Sequence, residues 1–400
     1  MVTVISGGTV LLGNGQKMES AHIIIENGKI KAVATELPNI SVDQMNIIDA
    51  SGKFITPGLI DVHTHLGIHE EGIGKEGQDY NETSSPVTPH VRAIDGINPR
   101  EKGFEDARKA GVTTVQVMPG SANVIGGEMA VIKTAGQTID EMIIKQPSGM
   151  KAAFGENPKR IHGDQGKLPI TRMGIASLFR EQFIQAQTYL QKIEKGGEVE
   201  RDLKMENLSK VLKKEIPIRA HAHRADDIMT VIRLAKEFDF DYTIEHCTEG
   251  HHIAKYIAEN GVRVSVGPTM SSRSKVELAD KGWHTLLALR DAGVSFSITT
   301  DHPVIGIEHL MTSAILAVKH GLDESTALQA ITLNAAKHLG IEDRVGSIEA
   351  GKDADLVIWS GDPFDLRENV ELTMINGEIV FQKSEMPITA LKETRKNLSV

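Results

Sequence analysis

From about Ile55 to residue 344 the chain repeats one rhythm, a short β-like run followed by a helical one. That rhythm leaves few folds open, because strands joined by helical crossovers lie parallel in one sheet with helices packed against it. The strand-like runs are Ile60–His65, Thr113–Met118, Met150–Phe154, Ile218–His221, Tyr242–Glu245, Val262–Val266 and Ser295–Thr299. Helical runs are expected at Gly103–Ala110, Ile175–Lys195, Ala225–Phe238, Ile253–Asn260 and His284–Ala292. An eight-fold unit needs one more strand, expected second in order. A weak candidate, Val91–Asp95, lies within Leu66–Arg100, a stretch rich in Gly, Pro and acids that reads better as an active-site loop. The pattern predicts an α/β fold, a (β/α)8 TIM barrel over residues 56–344.

The flanks behave differently. Short β runs broken by Gly and Asn occupy Val2–Ile5, Val10–Leu12, Ala21–Glu26, Ile30–Val33 and Ile47–Asp49. His22–Glu26 and Lys29–Val33 should form a hairpin across Asn27-Gly28, a pair suited to the tight type I′ turn. After helical runs at His309–His320 and Ser325–Leu339, β character returns at Leu356–Ile358, Leu372–Ile375 and Glu378–Gln382, with Asn376-Gly377 between the last two. Neither block alone can bury a face, so residues 1–55 and 345–400 are expected to combine into a small composite β-sandwich domain.

Composition narrows the partners. Of 400 residues, 44 are Lys or Arg and 54 are Asp or Glu, a net charge of −10 that argues against nucleic acid or an acidic membrane and for a small-molecule substrate. Cys247 is the single cysteine, which excludes a disulfide framework and a Cys-based zinc cluster and suits a reducing compartment. No stretch resembles a leader or reaches the roughly 18 apolar residues of a membrane span, so the expected location is cytoplasmic. The composition leaves open whether the chain forms a homo-oligomer.

The 16 histidines carry the chemistry. Alternation along a strand puts His63 and His65 on one side, the barrel interior, at the C-terminal end where barrel active sites lie. His221 and His246 end two further strands, and Asp301 ends the last one, in Thr299-Thr300-Asp301-His302-Pro303. Neutral imidazoles and a carboxylate on four strand ends would converge on one point and hold a divalent metal. His223 shares a side with His221 and is read as a substrate contact or an outer hydrogen-bond donor. Lys151, on the expected fourth strand, is unusual inside a barrel; an ordinary reading pairs it with a carboxylate such as Glu156, itself a competing ligand. Arg224, Arg273 and Lys275 follow strands; each alone reads as surface charge, with Arg273 kept as a partner for a substrate carboxylate. His251 and His252 are expected at the pocket rim, His320 and His338 on ordinary amphipathic helices, Cys247 as a buried apolar group, and Gly126-Gly127 in a tight loop over the site.

With Pro57-Gly58-Leu59-Ile60-Asp61-Val62-His63-Thr64-His65 near one end and Gly346-Ser347-Ile348-Glu349-Ala350-Gly351-Lys352-Asp353-Ala354-Asp355-Leu356-Val357 near the other, the chain resembles the metal-dependent amidohydrolase superfamily, in its imidazolonepropionase and Xaa-Pro dipeptidase branch. The resemblance covers essentially the whole chain. It implies that His63, His65, His221 and His246 are metal ligands and that Asp301 is both ligand and general base. It also implies one or two divalent ions, zinc by default, and where there are two, a carboxylated Lys151 bridging them. Metal-activated water would then attack an amide carbon, with Asp301 taking its proton and returning it to the leaving nitrogen. A departure stands at Arg224, where imidazolonepropionases carry an acidic residue. The expected activity is hydrolysis of a C–N amide bond in a small cyclic amide or dipeptide; the alternatives are deamination of a heterocyclic amidine and, less well supported by the ligand set, a non-catalytic scaffold.

Overall fold

The computed structural model describes residues 2–36 and 45–383. The chain opens with β1 (Val2–Leu11), β2 (Lys17–Glu26), β3 (Lys29–Ala34), β4 (Met45–Asp49) and β5 (Phe54–Pro57). The expected Val2–Ile5 and Val10–Leu12 runs are one strand, kept continuous by register shifts at Ser6/Gly8 and Gly8/Val10. β2 and β3 pair across Asn27 and Gly28, both at positive φ (52° and 75°), as a two-residue hairpin of this sequence requires.

The barrel follows as β6 (Leu59–Thr64), β7 (Val112–Val117), β8 (Ile125–Lys133), β9 (Ile143–Ala153), β10 (Ile218–Ala222), β11 (Tyr242–His246), β12 (Val264–Val266) and β13 (Phe296–Ile298). These strands are neighbours in that order, and a parallel bridge between Thr64 and His302 brings the last strand back to the first. Each is buried along its length apart from the first residues of β9 and Tyr242 of β11, as strands covered on both faces must be.

The missing strand is third in order, not second, and it is β8. It runs antiparallel to both β7 and β9, so no helix precedes it and the βα rhythm does not announce it. Gly126-Gly127 lies in this strand and not in a loop. The glycine at 127 is required: its φ is +129°, and a Cβ there would stand 2.4 Å from the Val91 carbonyl. The Val91–Asp95 candidate is not a strand; Ala93–Asp95 is a 3-10 turn, and Val91 accepts a 2.8 Å hydrogen bond from the Glu128 amide of β8.

The helix expected at Ala225–Phe238 has those bounds, while the single run expected at Ser325–Leu339 is two helices, Glu324–Ala330 and Leu333–Leu339. Helices Glu156–Gly163 and Leu203–Leu212 were not anticipated.

β14 (Leu356–Trp359), β15 (Val370–Ile375) and β16 (Glu378–Gln382) close the chain. β14 pairs antiparallel with β5, which knits the two ends into one second sheet in the order β16-β15-β14-β5-β1-β2-β3, with β4 beside β1. Ile5, Ile23, Ile55, Leu356 and Met374 lie in its own apolar cluster. Residues 384–400 of the expected composite unit lie outside the described residues. Where the barrel meets this sheet, Lys133 of β8 is buried against Asp353 (3.0 Å) and Asp355, an ion cluster that also takes Arg344 at 2.9 Å.

Candidate metal centre

The C-terminal mouth of the barrel is built by one carboxylate that touches no cavity. Asp61 of β6 is fully buried and accepts from the hydroxyls of Thr299 (2.5 Å) and Thr300 (2.6 Å) and the amides of Thr300 (3.0 Å) and His63 (3.1 Å). Burial pushes its pKa up to about 6 against those four bonds. The effect is to tie the end of β13 to β6, so that Asp301 meets His63 and His65. Asp301, His246 and Cys247 all hold positive φ (54°, 73° and 45°), a costly backbone for residues with side chains, and one that collects at functional sites.

Hydrogen bonds at the outer nitrogens fix the ring tautomers. His65 Nδ1 meets the Met118 carbonyl at 2.8 Å and His246 Nδ1 the Gly267 carbonyl at 2.7 Å; a carbonyl only accepts, so Nδ1 carries the hydrogen and Nε2 a free lone pair. His63 Nδ1 faces the Glu245 carboxylate at 3.3 Å with the same result. Glu245 is held in turn by His338 Nε2 (2.9 Å), Thr243 Oγ1 (2.7 Å) and Ser265 Oγ (2.5 Å). Burial opposes its charge, yet His338 and His63 keep its pKa well below the ordinary range.

The lone pairs converge. Nε2 of His63 and Nε2 of His65 each lie 3.4 Å from the same oxygen, Oδ1 of Asp301. Two sets of donor atoms lie within 4.8 Å of one another, His63 with His246 and Asp301, and His221 with His223 and His246, so that His246 is common to both. Burial, with neighbouring cations, lowers the pKa of His63 to about 3 and holds His221 and His223 far below the usual imidazole value, so these rings are neutral, the form that binds metal. The donor set fits a divalent cation: neutral nitrogens and a carboxylate face one space, in which Lys151 Nζ at 3.3 Å from His63 Nε2 and Asn157 Nδ2 at 3.5 Å from His221 Nε2 are the neighbouring donors.

Lys151 of β9 is buried, with Nζ 3.3 Å from His63 Nε2 and 3.1 Å from Met118 Sδ. Burial lowers its pKa to about 8. Among the described residues no carboxylate reaches its ammonium within 4.0 Å; Glu156 turns instead to the Glu277 amide.

Above this floor opens a cavity of about 830 Å³, walled on one side by His69–Asn81, within the Leu66–Arg100 stretch expected to be an active-site loop, and on the other by Pro268–Lys281. His221 is held by Ser121 Oγ (2.9 Å), and His223 by Thr248 Oγ1 (2.7 Å). The sequence reading missed Glu277, buried in the second loop, whose Oε1 has no hydrogen-bond partner and lies 3.8 Å from His223 Nε2 and 4.0 Å from His221 Nε2. Lone acids in an irregular loop give no periodic signal. Lys275 lines the cavity and donates to Asn157 at 2.6 Å. Arg273 does not line it; its Nη2 donates to the Lys281 carbonyl at 2.8 Å, and Arg224 pairs with Asp226 at 2.9 Å. His338 is not an ordinary helix residue but the buried partner of Glu245. Cys247 is buried, as expected, with its thiol pKa pushed up by burial.

This architecture has counterparts. A structure of an amidohydrolase from Thermotoga maritima MSB8 superposes with a TM-score of 0.92 at 44% identity, covering 95% of this chain and all of that one. A prolidase complexed with N-methylphosphonate-L-proline shares the fold at 20% identity and a TM-score of 0.62, over 96% of this chain and all of its own. In sequence, an imidazolonepropionase from Legionella pneumophila (strain Corby) is 24% identical over 86% of this chain and 89% of its own. The amidohydrolase tasK of Hapsidospora irregularis is 30% identical over 90% of this chain, which spans only 40% of that longer protein. No helix among the described residues is long and apolar enough to cross a membrane. The model of the amidohydrolase family matches residues 54–380, and the chain belongs to that family of hydrolases acting on carbon–nitrogen bonds.

Proposed function

We propose that the protein hydrolyses the C–N amide bond of a small cyclic amide or dipeptide, with His63, His65, Lys151, His221, His246 and Asp301 holding divalent metal and Asp301 moving the proton. The observation that carries this reading is the convergence of neutral Nε2 atoms on Asp301, with His246 shared between two donor sets. When bound, the cation supplies an activated water and polarises the amide carbonyl.

The chain's own residues do the rest. Asp301, whose carboxyl is held below the ordinary carboxylate range, accepts the water's proton and delivers it to the leaving nitrogen. Lys151 is assigned as a carboxylated lysine between the two donor sets; its burial, its lack of a carboxylate partner and the room left by Gly126, whose Cβ would stand 3.2 Å from Lys151 Cγ, support this. Zinc is the assigned ion for so nitrogen-rich a set. His223 lies with the donors of His221 and His246 and is assigned to metal or substrate there, while Lys275, on the cavity wall, is the first candidate for a substrate carboxylate and Arg273, whose Nη2 donates to the Lys281 carbonyl, the second. The barrel, residues 56–344, carries the chemistry and the composite sheet braces it; a reducing, cytoplasmic setting suits the single buried Cys247.

The test is an assay of cyclic amides and short dipeptides that follows the released carboxylate and amine, with ammonia measured in parallel. Asp301→Asn should lower kcat/KM by about 10²–10⁴-fold on any substrate found. Full activity in that variant would sink the assignment of the base, and release of ammonia alone would replace the amide reading with deamination.

A further inference from the structure

Outside the cavity wall, a second group of nitrogen donors gathers on the surface around one carboxylate. His251 and His252 sit in the 3-10 turn Gly250–Ile253 that follows β11, and His284 begins the helix His284–Asp291. Neither His251 nor His252 lines the main cavity, contrary to the rim position expected of them. Instead Oδ2 of Asp280 lies 2.8 Å from His251 Nε2 and 2.9 Å from His252 Nε2, and Oδ1 lies 3.9 Å from His284 Nε2. His251 Nε2 and His284 Nε2 are 3.4 Å apart.

The hydrogen bonding behind His251 decides which atoms hold lone pairs. The Thr285 hydroxyl donates to the Thr248 carbonyl at 3.0 Å, so its oxygen is left to accept from His251 Nδ1 at 2.9 Å. In the neutral ring Nδ1 then carries the hydrogen and Nε2 a lone pair. That lone pair points at a carboxylate oxygen and at a second imidazole nitrogen. Acceptors at 2.8 Å repel unless a cation lies between them, and one proton bridges only one of these contacts. A tetrahedral zinc with Zn–N near 2.0–2.1 Å separates its ligands by about 3.3 Å, and the contacts here run from 2.8 to 3.9 Å on either side of that value, with His251, His252 and Asp280 forming the tight group and His284 the outlying fourth donor. The backbone is shaped for it too: a Cβ at Gly282 would stand 2.5 Å from His284 Nδ1, so this residue leaves the ring its place.

We propose that His251, His252, His284 and Asp280 form a second, surface site for a divalent cation of the zinc class, separate from the barrel mouth. Thr285 and Thr248 stand between the two, Thr248 Oγ1 meeting His223 Nδ1 at 2.7 Å. The surface ion is held by three imidazoles and one carboxylate and needs no substrate.

The experiment is zinc binding to the full chain, counted by elemental mass spectrometry after equilibration at micromolar free zinc, and repeated with cobalt as an absorbing substitute. The double variant His252→Ala/His284→Ala, at residues half exposed and outside the proposed catalytic set, should bind one equivalent fewer than the wild type and lose one tetrahedral cobalt spectrum. Asp280→Asn should weaken that equivalent by at least tenfold. Asp301→Asn should retain it, which separates failure of this site from failure of the barrel one. Equal zinc content and equal cobalt spectra in wild type and double variant would overturn the proposal and leave the cluster as a proton-bridged ion pair.

Discussion

His63 Nε2 stands 3.4 Å from Asp301 Oδ1 with a lone pair on each side of the gap, because Glu245 fixes the hydrogen of His63 at Nδ1. Such a contact repels in the folded chain wherever neither a metal cation nor the Lys151 ammonium, 3.3 Å from the same Nε2, offsets it. Metal removal is therefore expected to lower the thermal unfolding temperature. Rebinding restores about 2.7 kcal/mol when free metal is a hundredfold above its dissociation constant. Thermal scans with and without chelator check this; in Asp301→Asn, where the amide nitrogen can donate to His63, the chelator should shift the unfolding temperature by less than in the wild type.

Glu245 and His338 would act on a bound metal through His63. Glu245→Gln or His338→Ala should weaken metal binding by about 10–100-fold while the chain stays folded. Competition with a zinc indicator reads the affinity, and far-ultraviolet circular dichroism the fold. Unchanged affinity in both variants would mean that His63 needs no outer partner.

Lys151 separates two metal stoichiometries. If its carbamate bridges the donor sets that share His246, Lys151→Ala should lose one barrel-bound equivalent and most activity, and short-chain carboxylates should restore part of both by filling the vacated space. A variant that keeps the wild-type metal content would reduce Lys151 to an ammonium donating to His63 Nε2.

How much of this was legible before the structure follows from the kind of signal each residue gives. His63, His65, His221, His246 and Asp301 end apolar strand runs, so a period-2 pattern and a chain position are enough to bring them together. Strand β8 escaped because Gly126-Gly127 follow its first residue and it runs antiparallel, without the helix that marks a parallel crossover. Asp61 is inside the same motif as His63, yet its role depends on reaching Thr299 and Thr300 across the barrel, which no local pattern encodes. His338 shows a helical period, which places it on a buried face and leaves its partner unstated. Arg273 and Asp280 sit in irregular loop between β12 and β13 and Glu277 in the short 3-10 turn Val276–Leu278 there, where side-chain direction is set by turns that the sequence does not announce.

The junction between the barrel and the second sheet carries its own pH dependence. Burial opposes the charge of Asp353, but Lys133, Lys29 and Arg344 outweigh it and hold the carboxyl below its ordinary 3.8. A depressed carboxylate pKa contributes stability above the unfolded value, lost as pH falls through 3.8 and then through the folded value. Asp353→Asn leaves Lys133 buried with Asp355 as its remaining carboxylate and should cost about 1.5–3 kcal/mol at pH 7. Denaturant unfolding from pH 7 to below pH 4 checks the sign, since the gap between wild type and variant should narrow on the acid side.

The central claim is that the barrel mouth holds catalytic metal, and the most direct measurement is metal content per chain, by elemental mass spectrometry, on His252→Ala/His284→Ala protein purified without chelator. Removing the surface cluster takes its equivalent out of the count. The account predicts two equivalents, with activity that disappears when they are removed and returns when they are restored. A metal-free chain that hydrolyses its substrate at the full rate would contradict it.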